Sequence, residues 1–405
     1  MSPQAAPSTA LVRTSYRDVF LLACCQALLL ANASGLVSLN GLVGYQLSPD
    51  KSLATLGVTT YVLGSAVAAL PMALWMGRVG RRRGFMTGAA VNVIGCALGV
   101  LALRWHSFAL FCFATAVIGI YNAVGLQYRF AAAEIAAPRD KARAISLVLA
   151  GGVAGGVMGP EAAKWSRDLF ATPFLGTFIA LAAFAIVALA VQSRVDVPMP
   201  TREERGGGGR PLAQIAAQPV FIVAILTAAL GYGLMNLLMT ATPIAMQFCG
   251  YPFSASASVI EWHVVGMFAP GFVTGSLIAR HGVLKVIGAG VMLMGAAITV
   301  ALAGNTVMHF VIALALVGVG WNFMYTGGTT LLTEAYRPAE KARVQGANDL
   351  ALFVTMAVSS VSSGALVSTA GWETANWAAV PVLLVVAVAV GLLGLRRSTH
   401  AASAA

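Results

Sequence analysis

The chain has 405 residues, of which 59% are hydrophobic and only 10% are charged, and its formal net charge is +11. A soluble globular protein carries roughly a quarter charged residues because its surface faces water, so most of this surface must face lipid. The basic residues stand at the ends of apolar runs and form no continuous basic stripe, which argues against a nucleic-acid partner.

Twelve apolar runs follow one another along the chain, each long enough to cross a bilayer core of about 30 Å. We number them as spans 1 to 12: 18–46, 53–77, 84–103, 107–135, 142–164, 172–192, 217–247, 255–279, 283–303, 306–336, 342–369 and 375–395. This pattern predicts an all-α membrane protein with twelve transmembrane helices in two six-helix bundles.

Polar segments divide the chain into domains. Residues 1–17 form a tail, 18–192 the first bundle, 193–216 a flexible linker with a run of glycines from Gly206 to Gly209, 217–395 the second bundle, and 396–405 a second tail. Nearly all Lys and Arg residues lie on the side that carries the termini and the linker. The other side holds only Lys51, Arg104, Lys164 and Arg167, so the positive-inside rule places both termini in the cytoplasm.

The two halves repeat short motifs at one constant interval. The first-half motifs Tyr121-Asn122 and Glu134, Pro138, Lys141 and Arg143 recur as Trp321-Asn322 and Glu334, Pro338, Lys341 and Arg343. The turn after span 2 also recurs after span 8. Duplicated halves that meet at a shared midplane site are a common architecture of secondary transporters.

The turns after spans 2 and 8 resemble the basic, glycine-containing turn of the major facilitator superfamily. They contain Arg78, Gly80, Arg81 and Arg82 in the first half and Arg280 and Gly282 in the second. The family's leading glycine and its acidic residue are replaced by Ala73 and Gly77. The resemblance implies two pseudo-symmetric six-helix bundles in a bacterial inner membrane.

Span 5 resembles a glycine motif that many antiporters of this family carry. Gly151, Gly155 and Gly159 recur at every fourth residue, and Pro160 follows them. Two interpretations stay open: a flat helix face that packs closely on a neighbour, or a signature of export. In span 4, Ala114 stands where the family's antiporters often carry an arginine, which argues against the familiar drug/proton exchange.

Ionisable side chains inside a bilayer are costly and therefore mark functional sites. Glu261 in span 8 lies about 28 Å along the helix from Arg280, in the outer third of the membrane. Burial raises the pKa of a carboxyl group, so Glu261 is our candidate for proton coupling. The alternative is an interfacial glutamate that is hydrogen-bonded near the outer mouth.

A second group of ionisable residues is expected near the cytoplasmic boundary. Asp349 lies about 9 Å inside it, where a gating salt bridge to Arg78 or Arg81 is favoured over proton carriage. Arg129 in span 4 is expected to join this charge cluster, with the binding of an anionic substrate as the alternative. The predicted cluster comprises Arg78, Gly80, Arg81, Arg82, Arg129, Glu134, Arg280, Gly282, Glu334 and Asp349.

Uncharged polar and aromatic groups in mid-span are the predicted substrate contacts. In the family that the chain resembles, helices 1, 4, 7 and 10 line the cavity. The candidates on these spans are Gln26, Asn32, Asn122, Tyr232, Asn236, Trp321, Asn322 and Tyr325. A pocket of amides and aromatic rings favours a neutral or amphipathic organic solute.

These features favour secondary active transport of a small organic solute by alternating access, coupled to protons, in a monomer. Export is slightly favoured over the uptake of a vitamin or metabolite. The cysteines and histidines are scattered, and there is no phosphate-binding loop, so we expect no cofactor, metal or ATP drive. An intramembrane enzyme or a receptor is the alternative from another class.

Overall fold

The computed structural model describes residues 14–50, 53, 56–199 and 209–404, and within these ranges the chain is α-helical without a β-strand. The predicted tail up to residue 13, Lys51, and the linker residues 200–208, with Gly206 to Gly208, lie outside the described residues.

The first six spans lie close to their predicted positions. They are Tyr16–Leu47, Leu56–Val79, Arg81–Arg104, then Phe108–Gly125 with Tyr128–Ile135 as span 4, Lys141–Ala150 with Gly152–Ser166 as span 5, and Leu175–Gln192. Ser107 begins span 4 as an N-cap, because its hydroxyl accepts a hydrogen bond from the Leu110 N–H. Spans 4 and 5 are each interrupted once, which the apolar pattern did not predict.

The second six spans repeat this arrangement. A short helix, Leu212–Ala216, precedes Pro219–Phe248 as span 7; Phe253–Phe268 with Gly271–His281 form span 8; Val283–Ala303 and Val307–Leu332 are spans 9 and 10. Spans 11 and 12 form the helix Lys341–Ala404, which is broken at Gly371. Among the described residues, eleven helices are apolar and long enough to cross a membrane, and 341–370 supplies the twelfth. The predicted twelve spans are confirmed.

The internal repeat is visible in the backbone of the turns. Gly80 and Gly282 adopt φ values of 93° and 90°, in the region that favours glycine, and each begins the following helix. Pro138–Asp140 and Pro338–Glu340 form equivalent 3-10 turns before spans 5 and 11. The duplicated motifs therefore specify turns of the same geometry in both halves.

The glycine row of span 5 packs this helix on span 1. A Cβ atom on Gly151, Gly155 or Gly159 would collide with a carbonyl oxygen of span 1, so the two backbones touch directly. Ser34 donates a hydrogen bond to the Gly155 carbonyl at 3.2 Å across the same contact. Close packing within the first bundle therefore accounts for the row.

The described part of the linker is anchored to both bundles. At its start, the Asp196 N–H donates to Asp18 at 3.0 Å. At its end, Arg210 donates to both carboxylate oxygens of Glu340, at 2.8 and 2.7 Å. Hydrogen bonds from Arg210 hold the pKa of the buried Glu340 carboxyl at about 2, so this anchor is charged at physiological pH.

Candidate functional site

A central cavity lies between the two bundles. Its lining comes from spans 1, 4, 5, 7, 8 and 10, namely Gln26, Leu29, Leu30, Asn122, Leu126, Arg129, Leu149, Tyr232, Phe268, Trp321 and Tyr325. Five of the eight predicted substrate contacts are among these residues: Gln26, Asn122, Tyr232, Trp321 and Tyr325. Arg129, which was assigned to the charge cluster, also lines the cavity.

Aromatic rings from the second bundle form one wall of this cavity. Trp321 and Tyr325, one helical turn apart in span 10, are stacked at 4.9 Å with an interplanar angle of 15°. Tyr232 meets both rings edge-on at 5.3 and 5.4 Å, and Phe268 meets Trp321 edge-on at 5.7 Å. The Trp321 Nε1 and the Tyr325 hydroxyl have no hydrogen-bond partner among the described residues. The wall thus combines flat apolar faces with free polar atoms.

Three predicted cavity amides are instead used between helices of one bundle. Asn92 in span 3 donates to the Asn32 side-chain oxygen at 2.8 Å. Asn236 in span 7 donates to the Ser359 hydroxyl at 2.9 Å. Asn322 is fully buried and donates to the Met267 carbonyl at 2.7 Å. The prediction was wrong for these residues because helix-to-helix hydrogen bonds satisfy them away from the cavity.

The repeat of Asn122 and Asn322 has a structural reason. Asn122 donates to the Ser65 hydroxyl of span 2 at 3.2 Å, and Asn322 bonds Met267 of span 8. Ser65 and Met267 stand at equivalent positions before the Gly80 and Gly282 turns. Both asparagines therefore join the same pair of helices in each bundle, and only Asn122 also lines the cavity.

The floor of the cavity is a buried ion pair that joins the bundles. Arg129 in span 4 and Asp349 in span 11 are 2.5 Å apart, and both are fully buried. Gln127 and Asn348 also donate hydrogen bonds to the Asp349 carboxylate. The predicted partners Arg78 and Arg81 were wrong: Arg78 is exposed, and Arg81 forms its ion pair with another carboxylate.

A second network lies beyond this floor, at the end of the molecule that carries the basic turns, which we call the basic end. Arg81 contacts Glu134 at 2.7 Å, and Lys341 of span 11 approaches the same carboxylate at 3.4 Å. Arg81 also donates to Gln127 at 2.7 Å and to Gln345 of span 11. Glu134 thus lies between one cation from each bundle, and the network closes this end of the cavity.

Four other members of the predicted charge cluster do not join this network. The side chains of Arg78, Arg82 and Arg280 are exposed. Glu334, the counterpart of Glu134, pairs instead with Arg397 near the C-terminus, at 2.6 Å. The duplicated glutamates therefore differ in role, because Val283 stands in the second half where Arg81 stands in the first. Gly80 and Gly282 act through their backbone.

Sequence reasoning missed a second contact between the bundles at the basic end. Ser146 in span 5 donates to the Gly271 carbonyl of span 8 and accepts a hydrogen bond from the Gly275 N–H at 3.0 Å. A Cβ atom on Gly275 would lie 2.5 Å from the Ala142 carbonyl oxygen. The regular spacing of Gly271 and Gly275 was the available signal. We call Ser146, Gly271 and Gly275 the glycine clamp.

Sequence reasoning also missed Gln127 and Gln345 of the charge network, because a search for charged groups passes over neutral amides. Gln127 lies about two helical turns before Glu134, and Gln345 about one turn after Lys341. Their positions relative to those charged residues were the available signal.

Glu261 lies apart from both networks. Its side chain is exposed and makes no hydrogen bond or ion pair within the described ranges. It continues the helical row of Val264 and Phe268, which face Gly156 and Gly152 of span 5. The neighbouring His263 is buried and bonds the Leu314 carbonyl at 2.7 Å. Glu261 therefore stands on the face of span 8 that looks toward the other bundle, on the far side of the cavity from the basic end.

Two pseudo-symmetric six-helix bundles around a closed-floored cavity are the architecture of a secondary transporter. The family model described as Major Facilitator Superfamily matches residues 20–270 and 253–405, so the chain belongs to this family of membrane transporters and is not an enzyme. It is 39% identical over 394 residues to the riboflavin transporter RfnT of Brucella anthropi, which covers 96% of this chain and 98% of that protein. It is also 30% identical to the uncharacterized MFS-type transporter YdeG of Bacillus subtilis, over 87% of this chain and 86% of that protein.

Solved structures confirm the fold. The fucose:proton symporter FucP of E. coli superposes with a TM-score of 0.77 at 15% identity, covering 94% of this chain and 99% of its own. The human organic anion transporter MFSD10 gives a TM-score of 0.75 at 14% identity, with coverage of 93% and 99%. At these identities the likeness concerns the arrangement of helices alone.

Proposed function

We propose that this protein imports riboflavin, or a closely related flavin, across the bacterial inner membrane. The observation that carries the proposal is the similarity to a riboflavin transporter along almost the whole of both chains. The glycine row of span 5 is the feature that favours export in the sequence, and in the structure this row packs on span 1. A vitamin is needed inside the cell, so uptake is the direction that we propose.

The chemistry of the cavity supports a flavin as the substrate. An isoalloxazine is a flat, largely apolar ring system with carbonyl oxygens at one edge. Trp321 and Tyr325 line the cavity with aromatic rings that can pack against such a ring system. The free Trp321 Nε1 and Tyr325 hydroxyl offer hydrogen bonds. Gln26 and Asn122 on the opposite wall offer amides to the hydroxyl groups of a ribityl chain.

The transport cycle that we propose is alternating access by a monomer with both termini in the cytoplasm. The basic end then faces the cytoplasm, in agreement with the positive-inside rule. The bundles 18–192 and 217–395 rock about the cavity, and the linker 193–216 connects them on the cytoplasmic side. In the present conformation the charge network and the glycine clamp hold the cytoplasmic side closed.

Uptake of labelled riboflavin by proteoliposomes tests this function and its direction. With an imposed pH gradient, acidic outside, we expect labelled riboflavin to accumulate in vesicles whose basic end faces inward. Excess unlabelled riboflavin added outside should then exchange with the labelled riboflavin inside. Site-specific protease cleavage in the linker reports the orientation. Vesicles that neither accumulate nor exchange riboflavin would rule out the proposed substrate.

Trp321 is expected to supply much of the affinity for the flavin ring. Replacing it by Ala should weaken riboflavin binding at least tenfold, because the variant loses the largest ring that lines the cavity and each 1.4 kcal/mol is tenfold in affinity. Quenching of flavin fluorescence on titration with purified protein measures this affinity. Trp377→Ala in span 12, where the ring is 61% exposed, is the matched control and should bind normally.

We propose that Glu261 couples transport to protons. When the cytoplasmic side opens, the opposite halves of spans 5 and 8 must approach, and this movement buries Glu261. A buried carboxylate without a partner is unfavourable, and protonation removes its charge. Each transport cycle then requires Glu261 to be protonated on one side of the membrane and deprotonated on the other.

This assignment predicts the behaviour of Glu261→Gln. The variant should exchange riboflavin across vesicles at a rate near that of the wild type but lose at least tenfold of the stimulation by an imposed pH gradient. Glu161→Gln is the control. This carboxylate of span 5 is also exposed and lies far from the basic end, and it is 3.9 Å from the Lys164 ammonium group. A Glu261→Gln variant that still follows the gradient would remove Glu261 from the coupling step.

A further inference from the structure

Arg129 has hydrogen-bonding capacity that the protein does not use. Its side chain is 1% exposed, yet its Nε and Nη1 have no hydrogen-bond partner among the described residues. Only Nη2 bonds Asp349. Burying such donors without an acceptor is unfavourable, and a guanidinium offers five N–H groups in a fixed plane. The cavity floor therefore has two N–H donor groups, the Nε and Nη1 of Arg129, that are available to an acceptor on a ligand.

The position of Arg129 relates these donors to the aromatic wall. Its guanidinium lies 4.4 Å from the centre of the Tyr325 ring and 4.7 Å from that of Phe130. Arg129, Trp321 and Tyr325 line the same cavity, so a ligand that contacts the aromatic wall lies beside the guanidinium. A planar guanidinium binds two adjacent acceptor atoms especially well.

The same side chain also holds the bundles together. Arg129 belongs to the first bundle and Asp349 to the second, and their ion pair is fully buried. Gln127 strengthens this connection by donating a second hydrogen bond across the interface to Asp349. Removing one partner of such a pair leaves an uncompensated charge, so the pair opposes separation of the bundles in the empty protein.

We infer that the substrate competes with Asp349 for Arg129 and that this competition unlocks the basic end. The inference rests on the proposed function, because it assigns the acceptor edge of the flavin ring, with its carbonyl oxygens, to Arg129. The bound edge satisfies the free N–H groups and turns the guanidinium away from Asp349. The Asp349 carboxylate then loses its main hydrogen-bond donor and becomes hydrated as the bundles separate. Arg129 is in this account a specificity-determining residue as well as part of the gate.

The arrangement also explains how an empty carrier avoids opening. A ligand shifts a conformational equilibrium only through its different affinities for the two states. The substrate can form all of its hydrogen bonds to Arg129 only after Asp349 has moved away. It therefore binds the unlocked state more tightly. Ligands without an acceptor edge can pack against the aromatic wall, but they leave the ion pair intact.

Two variants separate recognition from locking. In Arg129→Gln, the lock and the binding group are both lost: the basic end should open without ligand, and the affinity for riboflavin should fall at least tenfold. In Asp349→Asn, only the competitor is lost: the basic end should again open without ligand, but riboflavin should bind at least as tightly as it binds the wild type. Arg83→Gln changes an exposed residue at the start of span 3; it is the control and should change neither property.

Both properties can be measured on the purified full-length protein. Quenching of flavin fluorescence gives the affinity, and the distance between spin labels on Arg82→Cys and Arg280→Cys, in a background without the native cysteines, reports the opening. These exposed positions lie on different bundles at the basic end. Riboflavin should increase the open population of the wild type, and lumichrome, which keeps the ring edge and lacks the ribityl chain, should do the same.

The outcomes distinguish this inference from the function on which it rests. If the wild type does not bind riboflavin, both are overturned. If the wild type binds it and Arg129→Gln binds it equally well, the function stands and the inference fails. Equal losses of affinity in Arg129→Gln and Asp349→Asn would also overturn the inference, because Asp349 would then support Arg129 instead of competing for it.

Discussion

Gly275→Ala is expected to lower riboflavin uptake at least tenfold while the protein stays folded. The new Cβ would overlap the Arg143 backbone and lie 2.5 Å from the Ala142 carbonyl oxygen of span 5. Backbone atoms cannot turn aside as a side chain can, so spans 5 and 8 must separate at the basic end. The separation also breaks the hydrogen bond between the Gly275 N–H and Ser146. Overpacking of this kind costs about 1–3 kcal/mol, enough to favour the state in which the basic end is open.

Uptake by vesicles and the spin-label distance across the basic end are the two measurements for Gly275→Ala. Gly288→Ala is the matched control, since Gly288 is also a helical glycine of the second bundle but has no atom of a neighbouring helix within 4 Å of its Cβ position. That variant should transport normally. If Gly275→Ala transported normally with an unchanged distance, the glycine clamp would have no part in closing the basic end.

The positions of the helices follow from the sequence because lipid imposes a simple condition. Each span must be apolar for about 20 residues, and the turns between spans carry the charge. The aromatic wall was predictable for a related reason: Trp321 and Tyr325 are one helical turn apart and share a helix face. Depth and spacing along one helix were sufficient in these cases.

Contacts between helices were harder to predict, because rotation about the helix axis decides them. Asp349 was placed at the correct depth, but its partner depends on which neighbour its face meets, and that neighbour is Arg129. Asn322 was assigned to the cavity by its repeat, whereas its helix turns it toward Thr274 and Met267 of span 8. The pattern of apolar spans predicts how deep a residue lies in the membrane, but it does not predict which neighbouring helix its side chain faces.

The duplicated halves have also diverged where the bundles meet. Spans 2 and 11 approach through Gly77 and Ala342, with the charge network beside them. Spans 5 and 8 approach through the glycine clamp, which is uncharged. Because charged pairs are stronger than single neutral hydrogen bonds, the side of spans 2 and 11 should hold the larger share of the closing energy. The carboxylate of Glu134 should therefore contribute a large share of the free energy that keeps the basic end closed.

Glu134→Gln is expected to open the basic end and to lower riboflavin uptake at least tenfold. The variant keeps the shape of the side chain but removes the only carboxylate between Arg81 and Lys341 among the described residues. Two cations from opposite bundles, Arg81 and Lys341, would then lose the carboxylate that now lies between them. Removing one partner of a fully buried pair costs about 3–5 kcal/mol. The Glu134 side chain is 15% exposed, so the cost here lies toward the lower end of that range.

The internal repeat provides the control for this variant. Glu334→Gln changes the equivalent residue of the second half, which forms an exposed pair with Arg397, and exposed pairs contribute about 0–1 kcal/mol. It should transport like the wild type. Adding Arg81→Gln to Glu134→Gln removes one of the two cations that Glu134 bridges. Part of the closure should then be recovered, as measured by the spin-label distance across the basic end. If Glu134→Gln and Glu334→Gln behaved alike, closure would depend on the glycine clamp and on Asp349, and the charge of Glu134 would contribute nothing to it.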